Sequence, residues 1–166
     1  MTLRRFPVIA AIVFASVAVS VADTARLPEA EGSKSWVAPL WSAQLTTPTK
    51  VSGSLGVIRS FRKRGFIEDR HGLVGTGVLL QLEAGLAGGK LALGYAEHHS
   101  LGGYAVKLVG LRTWGDPWFT EPDQTYVGPE AQYSFALFKV GGGILYRVGD
   151  GPGDQWLITA GVGFGF

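Results

Sequence analysis

The last ten residues, Leu157-Ile158-Thr159-Ala160-Gly161-Val162-Gly163-Phe164-Gly165-Phe166, limit the fold more than any other stretch. In an extended strand, side chains alternate between two faces. Trp156, Ile158, Ala160, Val162, Phe164 and Phe166 then share one face, and Gln155, Leu157, Thr159, Gly161, Gly163 and Gly165 the other. One face is apolar and aromatic, and the second is small or polar. A soluble sheet turns its large residues to a core and covers its outer face with polar side chains. Glycine in that outer position supports a sheet poorly.

The same dyad recurs upstream. Over 73–86, Val74, Thr76, Val78, Leu80, Leu82, Ala84 and Leu86 share a face, opposite Gly75, Gly77, Gln81, Glu83 and Gly85, with Leu79 as the exception. Val51, Gly53, Leu55 and Val57 alternate with Ser52, Ser54 and Gly56. Leu91, Leu93 and Tyr95 alternate with Ala92, Gly94 and Ala96, after a reversal expected at Ala87-Gly88-Gly89-Lys90. Tyr104, Val106, Leu108, Arg112 and Trp114 oppose Lys107. Val127, Ala131, Tyr133 and Phe135 oppose Gly128, Glu130, Gln132 and Ser134. Val140, Ile144 and Tyr146 oppose Lys139, Gly141, Gly143 and Arg147, with a turn expected at Leu137-Phe138-Lys139. Seven strands are clear. Bacterial membrane barrels of one chain have an even number, so 36–46, interrupted by Pro39, is taken as a weak first strand and edge. The expected fold is all-β, an antiparallel up-and-down transmembrane barrel of about eight strands.

The N-terminus gives the compartment. Arg4 and Arg5 precede an apolar stretch from Pro7 to Val21, closed by Ser20-Val21-Ala22. A positive start, a short apolar run and small residues at the cut site read as a secretory signal peptide over 1–22. The run is too short for a spanning helix, which needs about 20 apolar residues. Residues 23–35 read as a mobile polar tail, and 36–166 as the barrel. Removing Arg4 and Arg5 lowers Lys plus Arg from 15 to 13, equal to the 13 Asp plus Glu. A neutral exported chain is not expected to bind nucleic acid. Cysteine is absent, which excludes disulfides and thiolate chemistry. Glycine, at 25 of 166 residues, is about twice the usual ~7% and lies within strands rather than in a linker.

These features resemble small bacterial outer-membrane β-barrel proteins of the eight-stranded type, whose closing strand ends in phenylalanine. The resemblance implies residence in the outer membrane of a Gram-negative envelope. It implies assembly machinery that reads Phe166 and Phe164, and contact with outer-membrane lipids and lipopolysaccharide. A monomer is expected. If the closing strand ends in the periplasm, loops 115–124 and 149–154 face outward and the basic loop 62–70 faces the periplasm.

An eight-stranded barrel is just filled by its own side chains. The inward set Glu83, Lys107, Glu130, Lys139 and Arg147 is therefore expected to form a paired polar network, because buried charges need partners. The catalytic candidate is weak. His98 and Ser100 have the His-x-Ser spacing of outer-membrane lipid A deacylases, which such a barrel resembles, and a histidine can activate a hydroxyl. Leu101 follows where that family has asparagine, the pair lies mid-chain, and it falls in an expected turn. No metal spacing occurs, and neither a metal nor a cofactor is expected. The sequence favours a non-enzymatic barrel of structural or surface-interaction type. A lipid-acting enzyme, a narrow channel lined by inward glycine, and a soluble periplasmic lipocalin-like binding barrel remain as alternatives.

Overall fold

The computed structural model describes residues 37–60, 75–99 and 102–165. Eight antiparallel strands follow one another around a closed barrel. They are β1 (Val37–Thr46), β2 (Lys50–Ser60), β3 (Gly75–Gly85), β4 (Gly88–His99), β5 (Gly102–Thr113), β6 (Thr125–Phe135), β7 (Phe138–Arg147) and β8 (Trp156–Gly165). β8 returns to pair with β1 over Ser42–Thr46 and Gly161–Gly165, closing the ring. The start of β1 and the end of β8 share one end, the terminal end, with the β6–β7 turn. The other, the loop end, carries the β1–β2 and β3–β4 turns and the loops 114–124 and 148–155.

Period-two alternation decides which way every side chain points. On β5, Ala105, Lys107, Val109, Leu111 and Thr113 are buried, while Tyr104, Val106, Leu108 and Arg112 are exposed. The exposed set all round the wall is apolar. It includes Leu80 on β3, Leu93 on β4, Val127 on β6, Ile144 on β7 and Ile158 on β8. Among the described residues, charges on this outer face sit near its edges: Arg59 and Glu97 toward the terminal end, and Arg112 toward the loop end. Glu97 is level with Tyr104, eight residues from Arg112 along β5. At ~3.3 Å per residue and a tilt of ~40°, the uncharged belt is roughly 20 Å tall, close to the ~25 Å of membrane barrels. Aromatic rings gather at its margins. Tyr104 faces Tyr133 across the β5–β6 ladder. Phe164 makes edge contacts with Trp41 and Phe138, at 6.3 and 6.2 Å between ring centroids. Nearer the loop end, Tyr146 and Trp156 meet at 5.0 Å.

Two reversals lie elsewhere than the sequence suggests. The β3–β4 turn is Leu86-Ala87, so Gly88, Gly89 and Lys90 already belong to β4; the β6–β7 turn is Ala136-Leu137, so Phe138 and Lys139 belong to β7. Glycine runs bias a reading toward turns, but here the glycines serve packing inside the strand. His98 also lies within β4 rather than in a turn, paired with Gly75 and Gly103. Pro39 is tolerated in β1 because that part of the strand lies outside the β1–β8 register, where a missing N–H breaks no bond to a second neighbour. The segments 1–22 and 23–35, Trp36, the basic loop 62–70, Ser100 and Phe166 lie outside the described residues.

At the loop end the chain's own turns bind one another. Ala87 N donates to Thr49 O, Trp114 N to Ala87 O, and Trp118 N to Pro48 O, tying three connections together. Lys50 spans to Asp116 at 2.7 Å and lies over the Trp118 ring. Phe119 projects from this loop, 83% exposed, with a left-handed backbone (φ 62°) that bulky residues rarely adopt.

Candidate functional site: the polar interior

The inward faces of β1 to β6 build one connected polar network. Glu83 of β3 accepts from Ser52 (2.8 Å) at Oε1, where the mutually bonded hydroxyls of Thr46 and Thr49 also converge (3.2 and 3.0 Å), and from Gln44 Nε2 (2.6 Å) at Oε2. Lys90 of β4 stands between two carboxylates, 3.8 Å from Glu83 and 3.0 Å from Glu130 Oε2. The other Glu130 oxygen takes Lys107 at 3.0 Å. Lys107 also donates to Gln81 Oε1 (3.2 Å) and Gln132 Oε1 (2.9 Å). Gln81 passes the chain on to Ser54, which meets Ser42 at 2.6 Å. The side chains of Glu83, Lys90, Lys107 and Glu130 are all buried. Removing four charges from water is costly unless each is paired and hydrogen-bonded; here each finds an opposite charge, and every carboxylate oxygen accepts at least one donor.

Space for these side chains comes from glycine on the neighbouring strand. Gly94 pairs with Lys107, Gly143 with Glu130, Gly56 with Gln81 and Gly163 with Gln44. A Cβ on Gly94 would run into Val106 O and the Lys107 side chain, and one on Gly143 into Pro129 O and Glu130. Inward glycine is therefore occupied space. Apolar groups lie to either side of the network. Val109, Leu111, Tyr126, Leu145 and Leu157 pack together with Ala92. Ala38, Ile58, Leu79, Ala96 and Ala105 form a second cluster, with Leu40 against it.

Of the five residues expected inside, Glu83, Lys107 and Glu130 come together in this network. Lys139 is buried in the same interior but makes neither an ion pair nor a hydrogen bond with the described residues. Arg147 is not with them. Its Nη1 donates to the carbonyls of Pro152 (2.6 Å) and Gly153 (2.9 Å), holding the 148–155 loop at the rim, while its buried Nε has no partner. Sequence reasoning missed Lys90, which it assigned to a reversal. Counting in twos back from Ala96, Gly94 and Ala92 would have placed Lys90 inward.

His98 is half-buried near the terminal end, against Gly103; its candidate partner Ser100 lies outside the described residues. Phe164 faces outward. Among the described residues no group of three or more His, Cys, Asp or Glu is arranged to hold a metal ion. The arrangement fixes charges and aligns strands. No family model matches the chain, and neither a curated protein nor a solved structure matches it significantly.

Proposed function

We propose that this chain is a membrane-spanning barrel of the bacterial outer-membrane type, with a filled interior and a structural or surface-interaction role. One observation carries the reading: the wall is inverted relative to a water-soluble protein. An uncharged apolar belt faces out, and the paired charges face in. A soluble barrel built to hold a ligand needs the opposite orientation. Only helices and closed barrels satisfy their backbone inside a bilayer, and an antiparallel ring of this size with margins of aromatic rings suits that setting.

The apolar clusters within the barrel and the tied turns at the loop end support a scaffold over a conduit. The projecting Phe119 and the charged residues around it supply a surface at that end, Asp116, Glu121 and Asp123 among them. With the termini in the periplasm, this is the outward-facing end.

Cell fractionation tests the placement. The protein is expected in the detergent-extracted outer-membrane fraction, and recovery in the soluble periplasm would end the membrane reading. In planar bilayers the purified barrel is expected to give no stable unitary conductance. Reproducible current steps would replace the scaffold reading with the channel.

A further inference from the structure

We propose that the barrel interior holds a single small monovalent anion, of the halide class, between Lys139 and Thr159. Lys139 of β7 is only 7% exposed and its ammonium has no partner among the described residues. Thr159 of β8 is 2% exposed, and its buried Oγ1 also has none. Both line one cavity, together with Gln44, Thr46, Lys90, Glu130, Gln132 and the glycine wall of β7 and β8.

The polar groups left over at this cavity are mostly donors. Glu130 lines it, but its two oxygens are engaged by Lys90 and Lys107. Thr46 is committed to Thr49 and Glu83. Gln132 accepts from Lys107 through Oε1, and lysine can only donate. That fixes the amide orientation and leaves the Gln132 NH₂ group free. Lys139, Thr159 and Gln132 therefore present an ammonium, a hydroxyl and an amide to one space. Against them stands Gln44 Oε1, an uncharged acceptor.

Charge points the same way. The polar belt contains three lysines, Lys90, Lys107 and Lys139, but two carboxylates, Glu83 and Glu130. Among the described residues one lysine thus has no carboxylate to match it, and a buried ammonium in that position must gain a counter-ion or give up its proton. Water can satisfy a donor but cannot neutralise an ammonium; an anion does both. The free space is about that of a single water molecule; a chloride is slightly larger than water and needs a small outward shift of the lining side chains, and a sulfate or any metabolite is too large.

The test uses the purified full-length barrel folded in detergent. Chloride-35 NMR line broadening and the thermal unfolding midpoint are followed at constant ionic strength, exchanging chloride or bromide for gluconate and, separately, for sulfate. Halide-specific broadening is expected, with a midpoint rise of roughly 3–5 °C at tenfold saturation. Lys139→Met is expected to abolish both, and Thr159→Val to weaken both while keeping the fold. No halide-specific signal in the wild-type protein would overturn the proposal, as would an equal rise in sulfate or unchanged broadening in Lys139→Met. If Lys139→Met does not fold, Thr159→Val carries the comparison, and broadening equal to wild type in that variant overturns the site.

Discussion

Replacing Glu130 by alanine is expected to cost about 3–5 kcal/mol of folding stability, the range for breaking a buried ion pair from one side. Among the described residues Glu130 is the carboxylate that touches both Lys90 and Lys107, each at 3.0 Å. Its removal leaves Lys107 with two amide oxygens and no opposite charge, and leaves Lys90 with Glu83 at 3.8 Å. Both ammoniums stay sealed inside the barrel. Urea unfolding of the detergent-folded protein measures the loss. By contrast, Asp116→Asn removes an exposed partner of Lys50, and such pairs contribute ~0–1 kcal/mol. Equal effects of the two substitutions would mean that the interior is hydrated and that the pairing described above is not what holds it.

The second large effect concerns the outer wall. Leu108 sits midway along β5, 60% exposed, between Leu93 of β4 and Pro129 of β6. Leu108→Arg places a guanidinium at the middle of the apolar belt, where lipid-facing charge costs about 2–4 kcal/mol in membrane barrels. Membrane-assembled protein in cells is expected to drop several-fold, and bilayer-refolded protein to lose stability by that amount. In a soluble barrel the same surface exchange would stay within roughly 0.5 kcal/mol. Wild-type stability in the variant, measured in lipid vesicles, would remove the belt as a lipid contact.

Much of the wall was legible because it obeys a single rule. From 125 to 135, alternation alone sent Val127, Tyr133 and Phe135 outward and Glu130 and Ser134 inward, as found. The same rule failed wherever glycine was given a second meaning. At 87–90 the glycines read as a turn, which hid Lys90, the lysine between the two carboxylates. At 137–139 the expected turn began one residue late, because Ala136 supplies a reversal that no glycine or asparagine announces. Arg147 has inward parity, yet parity says nothing of height. At the end of β7 it meets the carbonyls of its own loop before it meets a carboxylate. Which lysine pairs with which acid depends on the stagger between strands. That stagger is set by ladders between residues far apart in sequence, so no local pattern carries it.

The uneven contribution of the strands to the interior has a temporal consequence. Every hydrogen bond and ion pair described in the polar network lies within 42–132, from β1 to β6. The β7–β8 hairpin brings Gly141, Gly143, Gly161 and Gly163 to the same surface, and its β8 edge meets β1 over five residue pairs. A curled six-strand sheet can thus settle its electrostatics while the ring is still open, and the final hairpin then closes across it as a shutter that brings Lys139 inward, outside that network, and keeps Arg147 at the rim. Pulsed hydrogen exchange during refolding is expected to protect the amides of β3 to β6 before those of β8. Early protection of β8 would reverse this order, and the network would then have to form inside an already closed ring.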